Sequence, residues 1–113
     1  MKETVLQKRR RFLREKFRQK AVKRLNIAAK TLYSLGAEKV YVFGSVLKPE
    51  LFDENSDVDI AVKGIAEDKK STAYREVEEI FKEIPFDLLF LDEEIRPEIR
   101  EKIEKQGVIW KRL

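Results

Sequence analysis

Two aspartates separated by a single residue, Asp57 and Asp59, stand where an apolar run begins, in the segment SDVDIAV. In an extended strand, side chains two residues apart point to the same face, so the two carboxylates are expected to lie together. Like charges placed in this way repel, and a cation between them removes the repulsion. Mg²⁺ suits such a pair because it binds one or two carboxylates and fills its other positions with water and phosphate oxygens.

A third aspartate, Asp87, is the second residue of another apolar run, from Phe86 to Leu91. If that run is a neighbouring strand, its carboxylate comes close enough to bind the same metal or to accept a proton. Three carboxylates with two cations make a site for phosphoryl or nucleotidyl transfer, where one cation holds the triphosphate and the other activates the attacking hydroxyl. The sequence therefore predicts Asp57, Asp59 and Asp87 as catalytic residues and metal ligands.

A Gly-Ser pair, Gly44 and Ser45, ends the preceding apolar run and stands eleven residues before the Ser56 that leads the aspartate pair. Glycine lets the backbone approach a phosphate closely, and the following N–H groups and the serine hydroxyl can line a triphosphate. The Gly-Ser pair alone carries little information. The pair at a strand end, followed at this distance by Ser-Asp-x-Asp, is far more specific.

The composition excludes several other kinds of site. The chain has 113 residues with no Cys and no His, which excludes Ser-His-Asp and Cys-His catalysis within it and argues against a tight zinc site. Any metal should therefore be a hard cation bound through oxygen. The N-terminus lacks a signal-peptide pattern and no segment approaches the roughly 20 apolar residues of a membrane span, so we expect a cytoplasmic protein without a membrane partner.

The charge is divided unevenly along the chain. Residues 1–35 hold twelve Lys or Arg against two Glu, whereas the remainder holds thirteen against nineteen Asp or Glu. Neither Gly nor Pro interrupts residues 3–35, and apolar residues recur at helical intervals, which predicts one or two amphipathic helices ended by Gly36. The recurring residues are Leu6, Leu13, Phe17, Ala21, Leu25, Ala28, Leu32 and Leu35.

We therefore divide the chain into a basic helical extension, residues 1–35, and one α/β domain, residues 36–113. The basic face is either a solvated helix surface or a binding surface for RNA or an acidic partner. We expect it to act on binding affinity rather than on the chemistry.

The elements that position the aspartates follow from the remaining pattern. The predicted strands are Lys39 to Phe43, Val58 to Val62 and Phe86 to Leu91, and a short edge strand is expected in VIW. The predicted helices run from Asp68 to Glu83, stopped by Pro85, and from Pro97 to about Lys105, closed by Gly107. The segment LKPELFDENS is expected to be an exposed, mobile loop. This order predicts an α/β fold with a small mixed sheet of three to four strands covered by helices.

Three segments together, VFGS, SDVDIAV and FDLLFLD, resemble the polymerase-β-like nucleotidyltransferases, and among them the minimal, MNT-type proteins that pair with HEPN-domain toxins. The resemblance covers roughly residues 36–112 and implies the polymerase-β-like nucleotidyltransferase fold. It implies that Asp57, Asp59 and Asp87 hold Mg²⁺. It also implies that Gly44 and Ser45 bind the nucleotide triphosphate. The basic pattern often seen after the Gly-Ser pair is replaced by Val46-Leu47, so we predict Lys48, the nearest cation, together with Ser56, as further nucleotide-binding residues.

The resemblance further implies a reaction. A nucleoside monophosphate, AMP from ATP, would pass to a hydroxyl, with a tyrosine of a HEPN-type partner as the expected acceptor in a hetero-oligomer and this chain as the antitoxin. Two alternatives stay open: a non-catalytic antitoxin that keeps the fold and acts by binding, and an RNA-binding module whose acceptor is an RNA end. The sequence decides neither the acceptor nor the nucleobase, the number of monophosphates added or the oligomeric state.

Overall fold

A computed structural model of the chain describes residues 2–92 and 95–111. Its α-helices and strands, in chain order, are α1 (Val5–Ser34), β1 (Lys39–Phe43), β2 (Val58–Lys63), α2 (Lys70–Phe81), β3 (Phe86–Phe90), α3 (Pro97–Gln106) and β4 (Val108–Ile109). The strands form one mixed sheet in the order β3-β2-β1-β4, with β2 and β3 parallel and the other neighbours antiparallel. The predicted α/β fold with a small mixed sheet is therefore confirmed, including the short edge strand.

One face of the sheet forms the main hydrophobic core, because the strands place alternate aliphatic residues on that side. From β2, Val58, Ile60 and Val62 are fully buried. They pack against apolar residues of α1 and α2, which are Ala21, Leu25, Ala28, Leu32, Ala73, Val77 and Phe81. The two helices thus hold the central strand in place from one side.

The opposite face of the sheet has a smaller core. Tyr41, Ala61 and Leu91 pack there with Ile103 of α3. The helix α3 covers only part of this face, since Asp59, on the same side of β2 as Ala61, is only half-buried, and Asp87 on β3 is exposed. This uncovered end of the sheet is where the predicted site lies.

The long helix α1 begins with a capping box, in which Thr4 and Gln7 exchange hydrogen bonds between side chain and backbone. Its buried side chains begin only at Ala21. The predicted amphipathic segment is one continuous helix, and two residues of its apolar pattern, Leu6 and Leu13, are exposed. The division of the chain at residue 35 stays a prediction, although the second half of α1 is part of the main core.

The ends of two helices test the predicted stop signals. Gly36 has a φ of 108°, in the left-handed region expected after the last turn of α1. The predicted stop of α2 at Pro85 is wrong, because Lys82 adopts a φ of 54° directly after Phe81 and turns the chain earlier. A short 3₁₀ turn, Glu67–Lys69, precedes α2 in place of its predicted first residues.

The loop between β1 and β2 is not uniformly exposed. Lys48 and Leu51 are exposed as predicted, but Phe52 is fully buried. Its ring stacks on Phe17 of α1, with the ring centroids 5.7 Å apart. The prediction of an exposed loop is therefore wrong at Phe52, where burial of a large aromatic side chain ties the loop to α1. In the described part of the chain, no helix combines the length and the apolar character needed to cross a membrane.

Candidate active site

The end of β1 brings the backbone of Gly44 against the carboxylate of Asp59. Phe43 pairs with Asp59 across the antiparallel ladder, so the next residue of β1 lies beside that side chain. A Cβ atom at Gly44 would stand 2.3 Å from Oδ2 of Asp59, and Gly44 also has a φ of 81°. Only glycine fits this position without a shift, because both the backbone conformation and the space for a side chain are restricted.

The three aspartates converge on the same edge of the sheet. Asp59 and Asp87 are direct partners on the parallel strands β2 and β3, and Asp57 precedes Asp59 by two residues. Partial burial raises the pKa of Asp59 to about 6, and the negative charges of Asp87 and then Asp57 contribute to the increase. The structure thus brings the three predicted carboxylates close enough together for the charges of Asp87 and Asp57 to raise the pKa of Asp59.

The donor set of the site decides whether it suits a metal. Among residues 2–92 and 95–111, no group of three or more metal-ligating side chains is arranged to hold an ion. A three-carboxylate ligand set is therefore not preformed. The chemistry of the site still fits Mg²⁺, because this ion needs only one or two carboxylates and takes its remaining ligands from water and phosphate. A cation would also relieve the repulsion that acts on Asp59.

The other predicted residues lie in the loop between β1 and β2. Ser45 opens a 3₁₀ turn, Ser45–Leu47, directly after Gly44, and Lys48 follows it as an exposed residue. The Ser56 hydroxyl accepts a hydrogen bond from the backbone N–H of Asp53 at 3.1 Å and donates one to its Oδ1 at 3.3 Å. Ser56 therefore shapes the loop that leads into Asp57, and its predicted nucleotide contact stays a prediction.

A cleft of about 1020 Å³ adjoins Asp87 between the sheet and α3. Its walls include the apolar side chains of Phe43, Leu47 and Leu89. Charged and polar groups at the cleft are Lys48, Asp87, Glu98, Lys102 and Gln106. An apolar wall with a few polar groups, at the upper end of the roughly 300–1,000 Å³ common for small-ligand sites, suits a nucleotide-sized ligand.

Sequence reasoning missed a residue of α1 that contacts the turn after Gly44. The Arg18 Nε donates a 2.8 Å hydrogen bond to the backbone carbonyl of Val46, within the 3₁₀ turn. The expectation that the basic helix acts only on binding affinity is therefore incomplete, since this helix also holds the turn beside Asp59. No signal in the sequence marks Arg18, because it is one of ten Lys or Arg between Val5 and Ile27.

Comparison with known families shows which family the chain belongs to. The polymerase β nucleotidyltransferase family matches residues 16–112, which is most of the chain. The match begins within α1, before its first buried residue at Ala21. No curated protein matches the chain. The chain therefore belongs to the polymerase β nucleotidyltransferase family.

Proposed function

We propose that this member of the family is a Mg²⁺-dependent enzyme that transfers AMP from ATP to a hydroxyl of a partner protein. The observation that carries the proposal is the position of Asp59. Its carboxylate occupies the space left by Gly44 and has two negative neighbours, Asp57 and Asp87. No Lys or Arg of the described chain forms an ion pair with Asp59, so the negative charge remains available to a cation.

Each residue of the site would have its own role in binding or catalysis. Asp57 and Asp59 would hold Mg²⁺, which when bound polarises phosphate oxygens and lowers the pKa of an attacking hydroxyl. The Gly44 backbone and the turn that follows would line the triphosphate, because Gly44 has no side chain of its own to keep a phosphate away from its backbone. Asp87 borders the cleft and is exposed, so it is available either as a third ligand or as the acceptor of the hydroxyl proton.

The reaction is a displacement at the α-phosphorus of ATP. The acceptor oxygen forms a bond to that phosphorus, the bond from phosphorus to the bridging oxygen of the β-phosphate breaks, and pyrophosphate leaves with the electron pair. The hydroxyl proton passes to a carboxylate of the site, and we assign this role to Asp87. The apolar wall formed by Phe43, Leu47 and Leu89 offers a surface for the nucleobase.

A protein acceptor is consistent with the shape of the site. Asp57 and Asp87 are exposed, so a side chain of a second protein can reach the carboxylates from solvent. The resemblance to MNT-type proteins points to a tyrosine of a HEPN-type toxin as that side chain. The complex would then be a hetero-oligomer in which this chain acts as the antitoxin.

Where the adjacent reading frame encodes a HEPN-type protein, the test is to mix that protein with the chain, ATP and Mg²⁺ and to follow intact mass. We expect additions of AMP units to the partner only when both proteins, nucleotide and metal are present. The Asp59→Asn variant should give no addition. The Asp68→Asn variant, which changes an exposed aspartate ahead of α2, should behave as the wild type.

The same experiment separates the two alternatives. A tight complex without mass addition, under any nucleoside triphosphate, would favour a non-catalytic antitoxin. Addition of monophosphates to an RNA end, with RNA affinity that falls steeply with salt, would favour an RNA-directed enzyme, for which the cations of α1 would supply the attraction.

A further inference from the structure

The turn that follows Gly44 ends with one carbonyl that the backbone of the turn does not pair. In the 3₁₀ turn Ser45–Leu47, hydrogen bonds of 3.2 and 2.9 Å run to the carbonyls of Gly44 and Ser45 from the N–H groups three residues later. The next bond of this series would run to the carbonyl of Val46 from residue 49. That position is occupied by Pro49, which has no N–H. The Val46 carbonyl therefore needs a donor from elsewhere in the chain.

The donor is Arg18 of α1. Its Nε donates a 2.8 Å hydrogen bond to the Val46 carbonyl. In the described part of the chain, no other group donates a hydrogen bond to this oxygen. Val46 is only 1% exposed, so water has little access to the carbonyl. Because a buried carbonyl without a hydrogen bond is unfavourable, loss of Arg18 would make the turn shift toward another donor.

The Arg18 side chain is itself held in place. It is 21% exposed, and its Nη1 lies 3.5 Å from Oε1 of Glu15, one helical turn earlier. The planar guanidinium has donors in fixed directions, so one side chain can keep both contacts. The preceding residue, Phe17, stacks on Phe52 of the same loop. Two consecutive residues of α1 thus hold the loop between β1 and β2 at two points.

We propose that Arg18 is a positioning residue for nucleotide binding. It would act through the turn, which begins directly after the Gly44 backbone that lies against the Asp59 carboxylate. This inference rests on the proposed function, in which the turn lines the triphosphate of ATP. A displacement of about 1 Å is enough to weaken a site that depends on such positioning. Arg18 therefore links the fold of α1 to the affinity of the site for nucleotide.

A general attraction of phosphates by α1 is a different effect. Ten Lys or Arg lie between Val5 and Ile27, and any of them can attract a polyanion through solvent. Salt screens such attraction over about 8 to 10 Å. A hydrogen bond to a buried carbonyl is screened much less. The contribution of Arg18 to nucleotide affinity should therefore persist at high salt.

Arg24 provides a matched control on the same helix. Its Nη1 donates a 3.0 Å hydrogen bond to the carbonyl of Ile80, one of the last carbonyls of α2, which lack partners within the helix. Both arginines are partly buried, and both pair a backbone carbonyl. Ile80, however, packs on the main core, on the face of the sheet away from Asp59. Arg18→Met and Arg24→Met each remove one cation and one hydrogen bond and keep an unbranched side chain.

The first measurement is isothermal titration of the full chain with Mg²⁺ and an ATP analogue that has a non-cleavable bond between the α- and β-phosphates. Arg18→Met should bind the analogue about tenfold more weakly than the wild type, at low and at high salt. Arg24→Met should stay within about twofold of the wild type. Chemical denaturation should show similar losses of stability in the two variants. Arg18→Lys keeps a donor and should recover most of the affinity.

The second measurement needs no nucleotide. The N–H groups of Leu47 and Lys48 form the two hydrogen bonds of the turn, and NMR can follow their exchange with solvent deuterium. Exchange at both positions should be faster in Arg18→Met than in the wild type. Exchange in Arg24→Met should match the wild type. This comparison reports on the turn itself, independently of transfer activity.

The two measurements separate failure of this inference from failure of the proposed function. Wild-type affinity for the analogue in Arg18→Met, or an equal loss in Arg24→Met, would overturn the inference and make Arg18 a contributor to stability alone. Unchanged exchange at Leu47 and Lys48 in Arg18→Met would overturn it as well. A wild type that binds no analogue would contradict the proposed function. Faster exchange in Arg18→Met alone would even then support Arg18 as the residue that holds the turn.

Discussion

The two faces of β2 differ although their residues alternate along a single strand. On one face Val58, Ile60 and Val62 are fully buried against α1 and α2. On the other face Asp59 lies half-buried at the uncovered end of the sheet, beside Gly44 and opposite Asp87. The first face fixes the position of the strand, and the second face uses that position to hold carboxylates near one another.

The difference between the two faces shows how a small domain tolerates a carboxylate whose charged form is disfavoured. Repulsion from Asp87 and Asp57 and partial burial both disfavour the charged form of Asp59, which is why its pKa is raised. Burial of the aliphatic side chains on the other face offsets this cost, at about 25 cal/mol per Å² of apolar surface. Stability and proposed chemistry are thereby assigned to alternate residues, and each can be changed separately.

The largest expected effect comes from the carboxylate face. Asp57→Asn and Asp59→Asn, made singly, should each lower nucleotidyl transfer by roughly a thousandfold or more, which is about 4 kcal/mol at 1.36 kcal/mol per decade. The reason is the loss of a negative charge proposed to hold Mg²⁺. Transfer is measured with an NTP labelled at the α-phosphate. Near-wild-type transfer by either variant would show that the proposed metal ligands are wrong.

A smaller loss of transfer is expected from a substitution at Gly44, where the end of β1 lies beside Asp59 of β2. Gly44→Ala places a Cβ atom 2.3 Å from the Asp59 Oδ2, so the carboxylate must move. Transfer should fall by roughly 10- to 100-fold, in line with the cost of misplacing a catalytic group by about 1 Å.

Gly36→Ala is the matched control for this substitution. Gly36 also has a positive φ, but nothing lies within 4 Å of the position that an added methyl group would occupy. Both variants should lose about 1 kcal/mol of stability through backbone strain, and only Gly44→Ala should lose transfer. Equal transfer by the two variants would show that Gly44 is needed only for its backbone conformation.

A substitution on the apolar face of β2 should lower stability and leave transfer unchanged. Ile60→Val removes one methyl group from a fully buried side chain and should lower the free energy of unfolding by about 1 kcal/mol. Transfer at a temperature well below the midpoint of unfolding should be unchanged. Thermal denaturation and transfer assays on the same preparation make this comparison. A loss of transfer as large as that of Asp59→Asn would mean that the two faces are not separable.

The raised pKa of Asp59 predicts a pH dependence of stability in metal-free buffer. Because the folded-state pKa of about 6 lies above the reference value of 3.8, the folded state binds more protons between these values. Stability contributed by this group is therefore present below about pH 4 and is lost as the pH rises through 6.

The Asp59→Asn variant isolates that contribution. After discounting for the partial exposure of the carboxylate, Asp59→Asn should be more stable than the wild type by roughly 1 kcal/mol at pH 7.5. The two proteins should be equally stable near pH 4. Chemical denaturation at the two pH values measures the difference. A gain that is the same at both would show that ionisation of Asp59 is not its cause.

The sequence predicted the parts of the fold that depend on local pattern. The strand bounds of β1, the start of β2 and the start of α3 agree with the structure because alternation, β-branched residues and Pro97 determine them locally. The positions of the aspartates followed from the same alternation, since strand side chains two residues apart share a face. The pairing of Asp59 with Asp87 depends in addition on β2 and β3 being neighbours and on the register between them.

What the sequence did not predict depends on tertiary contacts. Leu6 and Leu13 fit the helical pattern of a core face, but exposure is decided by where the sheet ends relative to α1. Burial of Phe52 in a turn-rich loop required the Phe17 ring at the right place. The bond from Arg18 to the Val46 carbonyl joins residues that are 28 positions apart, and a cation in a cationic run gives no hint of it.

The most direct test of the central claim is binding of an ATP analogue with a non-cleavable bond between the α- and β-phosphates, because it requires no acceptor. Isothermal titration of the wild type with and without Mg²⁺ should show at least about tenfold tighter binding with the metal, and Asp59→Asn should lose that difference. Asp68→Asn should keep it. Equal affinity with and without Mg²⁺ in the wild type, or an unchanged metal effect in Asp59→Asn, would contradict the assignment of Asp59 to a metal-dependent nucleotide site.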